Sequence, residues 1–152
     1  KFIARRMVIL ASEDIGNANP TALVMAQNCF QAVHTVGMPE ARIILSQCAT
    51  YLASAPKSNS AYMAIKKAEQ MVAESGDLSV PLPLRNAPTK LMKELGYGDS
   101  YAYAHDYQGN FIEQEYLPET IKGTQIYDPA NNPRENELRA YLKGKWKGKY
   151  NY

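Results

Sequence analysis

The sequence predicts a mainly α domain with an irregular segment rich in tyrosine and proline towards its C-terminal end. Three observations carry this. Apolar residues recur at helical spacing through residues 2–75, proline and glycine fall between these stretches, and no helical period is present from Tyr97 to Pro133. At 152 residues and 45% hydrophobic, the chain is one domain's worth and can bury a core without staples. Phe2 to Ala11 reads as the interior of a first helix, with no capping signal ahead of Lys1. A piece of a chain that continues N-terminally is therefore expected. The run Met7–Ala11 is too short for a signal peptide, and Glu13 and Asp14 follow it at once.

Asn19-Pro20 opens the second helix, with Asn as cap and Pro in the first turn. Leu23, Ala26, Phe30 and Val33 form its expected inner stripe, and Gly37 stops it. Pro39 starts a third helix whose apolar set is Ala41, Ile44, Leu45, Cys48, Ala49 and Leu52, ended by Pro56. Ser58 caps a fourth helix through about Glu74, with Ala61, Ile65, Ala68 and Val72 inward and Gly76 closing it. Alternate prolines make Val80–Leu84 extended. Pro88 and Thr89 open a short helix through Leu95, stopped by Gly96. Asp106–Asn110 is the expected turn of a small hairpin with Tyr101, Tyr103, Phe111 and Glu113 on its arms. A last short helix is expected over about 135–142. The domain reading is thus a helical core over about 1–96, an irregular segment over 97–133, that short helix, and a basic flexible tail over 143–152.

Composition excludes several function classes. The formal charge is +2, too small to imply nucleic-acid or membrane binding by the whole chain. No apolar run reaches the roughly 18 residues of a membrane span. Two cysteines make no disulfide framework, and Cys29 and Cys48 lie on apolar stripes, where buried free thiols are expected. A reducing cytosol fits that usage best. Charge is uneven: Lys143, Lys145, Lys147 and Lys149 sit in the last ten residues, and the remaining 142 carry 13 bases against 15 acids.

Candidate chemistry is sparse. Lys57-Ser58 follows Ala55-Pro56 without the glycine that a phosphate-cradling loop needs, so no nucleotide site is expected here. Glu13 and Asp14 diverge by about 100° on a helix. Ion pairing of these acids and of Arg5 and Arg6 with another segment is favoured over catalysis. His105-Asp106 has no nucleophile assigned to it, so a structural contact between the two is favoured over an oriented base. His34 is alone on its helix, and two distant histidines give no metal site. No catalytic, cofactor-binding or metal-binding residue is expected. Candidate DNA or phosphate contacts are Arg85, Lys90 and Lys93, which are equally a solvated helix face, and Lys143, Lys145, Trp146, Lys147 and Lys149. The last group alternates cations with stacking rings, the chemistry of single-strand binding, and equally that of a solubilising terminus.

Four segments occur in one series: Arg5–Pro20 (RRMVILASEDIGNANP), Tyr51–Asn59 (YLASAPKSN), Leu84–Gly98 (LRNAPTKLMKELGYG) and Tyr103–Asp106 (YAHD), with YLPE and IYDP after them. The chain resembles, from about Phe2 to about Leu142, the C-terminal domain of the replication-associated recombination protein A (RarA/MgsA) family of AAA+ ATPases. The Werner-helicase-interacting ATPase is a eukaryotic relative in that family. The resemblance implies a helical, clamp-loader-collar-like oligomerisation domain that assembles homotetramers. It implies a parent acting as a DNA-dependent ATPase at stalled replication forks, with ATP and Mg held by an N-terminal AAA+ module outside this sequence. Implied partners are that module, DNA and single-stranded-DNA-binding protein, with no membrane, in a bacterial cytoplasm at the nucleoid. Arg5, Arg6, Glu13, Asp14, Lys57, Ser58, Asn59, Arg85, Asn86, Lys90, Tyr97, His105 and Asp106 match the family's motifs without an assigned role. After Pro129 the match loosens, and Pro133-Arg134-Glu135 stands where relatives tend to have a Gly-Glu pair. The alternative to assembly is a DNA-binding module using the basic-aromatic tail and the Lys90/Lys93 face.

Overall fold

Helix α1 (Phe2–Leu10) runs into a wider π turn over Ala11–Ile15 and a 3-10 turn over Gly16–Ala18. Four more helices follow, α2 (Thr21–Val36), α3 (Ala41–Ala53), α4 (Ser60–Ser75) and the short α5 (Lys90–Glu94), before α6 (Pro133–Trp146). The computed structural model describes all of residues 1–152 and contains no β-strand. The molecule is mainly α. It divides into two units, one made of residues 1–69 and 126–140, the other of 70–125 and 141–152.

In the first unit α1, α2 and α3 pack on one another. Their core is Ala11, Ile15, Ala22, Ala26, Cys29, Cys48 and Leu52, edged by Met7, Val8, Leu10, Val33, Ile44, Leu45 and Tyr51. Small side chains on α2 let its neighbours approach closely. The buried stripe of α2 is therefore Ala22, Ala26 and Cys29, one residue round from the expected one, and Leu23 is 42% exposed. Asn19 keeps the extended backbone of a cap, and its carbonyl accepts from the Ala22 N–H at 2.9 Å. Its side chain does not cap; the Asn19 Nδ2 donates to the Tyr51 hydroxyl at 3.1 Å. Cys29 and Cys48 are buried free thiols, and burial, with Cys29 adjacent, pushes the Cys48 thiol up to about 11.

Helix α4 departs most from expectation. Most of its expected inward stripe lies outside: Ala61 is exposed, Ile65 is 56% exposed and Val72 is 60% exposed, while Ala68 is half-buried. Ser58 assists the helix start by accepting from the Ser60 N–H at 3.2 Å.

In the second unit Val80–Leu84 is not wholly extended, since Leu82–Leu84 forms a 3-10 turn. Helix α5 forms as expected, with the Thr89 hydroxyl accepting from the Met92 N–H at 3.3 Å and Gly96 beyond it at φ 78°. The hairpin is absent. Two 3-10 turns, Ala104–Asp106 and Gln108–Asn110, occupy its place. The last helix is longer than expected and reaches Trp146, so Lys143 to Trp146 are helical rather than flexible. The Trp146 ring meets Phe111, Tyr116 and Tyr150 edge-on at centroid distances of 4.9, 6.1 and 5.1 Å. Trp146→Ala is expected to lower the stability of this unit by about 2 kcal/mol, read as a lower urea midpoint by circular dichroism.

Candidate functional site

Two constructions in the first unit use the residues of the ordered motifs. The first is a buried polar cluster centred on Glu135, whose side chain is wholly inaccessible to solvent. Asn132 precedes Pro133 and α6, and its Oδ1 accepts from the Glu135 N–H at 3.0 Å. The Glu135 carboxylate in turn accepts from Asn132 Nδ2 at 2.6 Å, from the Tyr127 hydroxyl at 2.8 Å and from the Ser60 hydroxyl. Ser58 donates to Ser60 at 3.0 Å, and Asn17 Nδ2 donates to the Tyr127 oxygen at 3.1 Å. Burial alone would raise the carboxyl pKa. The hydroxyls of Ser58 and Ser60, with Ser58 acting through Ser60, together with Asn132 and Tyr127 outweigh that and hold it at about 2. Burial raises the Tyr127 phenol, so it stays a donor.

Gly16 makes this cluster possible. Its backbone is at φ 49°, and a Cβ there would lie 2.8 Å from the Ser58 carbonyl oxygen. The Ser58 N–H donates to the Asp14 carbonyl at 2.8 Å, so the two motif loops lie directly against each other.

The second construction is a groove of about 530 Å³ lined by Ile3, Met7, Ile9 and Leu10 of α1 and by Ala49, Leu52 and Ala53 of α3. Arg6, Glu13, Asp14 and Lys57 also line it, and all four are exposed. The expected ion pairs of Arg5, Arg6, Glu13 and Asp14 with another segment are not present within the chain. Helical packing against α3 leaves these charges on the outer side.

The remaining candidates fall elsewhere. Asn59 is exposed, and its carbonyl accepts from the Met63 N–H at 2.9 Å. In the second unit Arg85 donates through Nε to the Val80 carbonyl at 2.6 Å and lies over the Tyr97 ring at 4.9 Å. Asn86 and Lys93 are exposed, and Lys90 is 3.8 Å from Glu94. His105 and Asp106 are both exposed with no hydrogen bond between them; the His105 ring sits 5.1 Å from Tyr103 instead. Lys143 is exposed, while Lys145 lies over the rings of Phe111 and Tyr141. Lys147 pairs with Glu113 at 3.4 Å and Lys149 with Glu115 at 3.3 Å. Burial works against the Glu115 charge, and the N–H groups of Leu117 and Tyr116 together with Lys149 lower its pKa nonetheless. No helix is long and apolar enough to cross a membrane.

The class that emerges is an all-α domain, tied together by a buried carboxylate and presenting a mixed-charge apolar groove. Residues 1–146 match the family model described as MgsA AAA+ ATPase C terminal, and the chain belongs to that family. An uncharacterized protein of Thermotoga maritima is 47% identical over 150 residues, covering 99% of this chain and 24% of its own length. The replication-associated recombination protein A of Escherichia coli K12 is 44% identical over 142 residues, 93% of this chain and 32% of its own. The ATPase WRNIP1 of Dictyostelium discoideum is 46% identical over 128 residues, 84% of this chain and 15% of its own. The chain thus spans a third or less of the length of these relatives.

Proposed function

We propose that this domain is the assembly element, forming homotetramers, of a DNA-dependent AAA+ ATPase that works in replication-fork maintenance and recombination. The observation that supports assembly is the imbalance between core and surface. Ten hydrophobic residues are buried, and of these only Ile15 and Leu52 are larger than alanine or cysteine. Nineteen large hydrophobics are exposed, including Phe2 at 72%, Ile3 at 57% and Ile43 at 64%. Burying such side chains fully is worth roughly 1.5–3 kcal/mol each, so a surface carrying this many favours association. The names of these relatives support the replication and recombination setting.

ATP and Mg belong, in this reading, to the parent's AAA+ module, since no loop of this chain has the glycines that cradle phosphates. Joining several such modules raises their effective concentration on one DNA, which is what a collar contributes. DNA and single-stranded-DNA-binding protein are the parent's proposed partners. The test is sedimentation equilibrium of the domain: a tetramer at micromolar concentration is expected, and a strict monomer at high micromolar would overturn the reading.

A further inference from the structure

The groove of the first unit has two features that together select an occupant. Its floor is apolar, with Ile9 and Leu10 half-buried along α1. Its rim carries exposed charges of both signs that form no salt bridge in the chain, Arg6 and Lys57 against Glu13 and Asp14. A rim of one sign would suit a ligand of the other. A rim of both signs, with Arg6 on α1 and Glu13 and Asp14 on the π turn that continues it, suits a surface that mates with itself.

The spacing sharpens this. Arg6 and Glu13 stand at equal distances on either side of the Ile9–Leu10 bond and, seven residues apart, share one face. That separation is about 10 Å along a helix. A two-fold axis through Ile9–Leu10 would lay α1 antiparallel on α1 of a second copy. Each Arg6 would then face the other copy's Glu13, because in a two-fold interface residue i meets j while j meets i. We infer that this face of α1, centred on Ile9 and Leu10, is a self-complementary two-fold contact between copies of the chain. The inference rests on the assembly reading and says which surface performs it.

Charge reversal tests it. In Arg6→Glu two acids would face each other, and in Glu13→Arg two bases. Each variant alone is expected to self-associate at least about 30-fold more weakly than wild type. Mixed in equal amounts the two variants are expected to associate, because every facing pair is again opposite in sign. The double variant R6E/E13R is expected to associate for the same reason. Sedimentation reads association, and circular dichroism confirms that the variants are folded. A wild-type oligomer with both single variants equally oligomeric would overturn this contact and leave assembly standing, the groove then serving another partner such as the parent's ATPase module. Weakened single variants whose mixture does not recover would overturn the two-fold register. A wild-type monomer would remove the assembly reading itself. An independent readout is Ile9→Cys under mild oxidation: a disulfide-linked dimer is expected, and monomer alone would count against the axis.

Discussion

Glu135→Ala is expected to lower the stability of the first unit by about 3–5 kcal/mol, the cost typical of breaking a buried charged network. The loss does not come from a missing contact alone. Ser60, Tyr127 and Asn132 all donate to this carboxylate, and without it their buried donors have no acceptor. Glu135→Gln keeps the volume and an acceptor oxygen but turns one donor against Asn132, so about half that loss is expected. Chemical denaturation followed by circular dichroism measures both.

The same carboxylate sets an acid limit on stability. Its pKa falls from an ordinary 4.5 to about 2 on folding. A depressed folded pKa stabilises the protein above the unfolded value, so this contribution is complete above about pH 5. It is lost as the pH falls from 4.5 towards 2, by about 3 kcal/mol in all. In Glu135→Gln that part of the acid dependence should be absent. Equal slopes for the two proteins between pH 4.5 and 2 would count against the depressed pKa.

Gly16→Ala is the second large effect, expected to cost about 2–4 kcal/mol. Two independent penalties meet there. The backbone lies at φ 49°, and the new Cβ would stand 2.8 Å from a carbonyl oxygen, where backbone rather than a movable side chain must shift. Gly37 is the control: its φ is 75°, but a Cβ there meets nothing within 4 Å, so Gly37→Ala should carry the backbone penalty alone, about 1–2 kcal/mol. Equal losses at the two positions would show that the close approach to Ser58 does not matter.

Helix positions were legible because proline, glycine and apolar spacing mark them locally; α3 and α5 are the clearest cases. What covers a helix face is not a local property. Ala61, Ile65 and Val72 have the spacing of a buried stripe and are exposed. On α2 the large apolar residues do not mark the buried stripe, because Ala22 and Cys29 are small enough to permit close packing. Trp146 lies between Lys145 and Lys147 in a run that looks flexible, and its partner Phe111 is far away in sequence. The Glu135 cluster did leave a signal: Asn132-Pro133-x-Glu135 is a cap, a first-turn proline and an acid at the third helical position. That pattern locates the helix start, but not the hydroxyls of Ser60 and Tyr127 that converge there. The groove was legible only in part. Arg6, Glu13, Asp14 and Lys57 stood out singly, and only packing of α1 on α3 places them round one opening.

The Glu135 cluster bears on how the protein is made. Asn17 and Tyr127 are bonded at a separation of 110 positions, and Ser60 and Glu135 at a separation of 75. During synthesis, at about 5–20 residues per second, α1 to α3 leave the ribosome several seconds before their closing residues exist. For that interval the nascent helices keep their apolar faces open to solvent, and Ser60 at the start of α4 is without its acceptor. The first unit can lock only when the stretch from Tyr127 to Glu135 has emerged, so translation of that stretch times the completion of the unit.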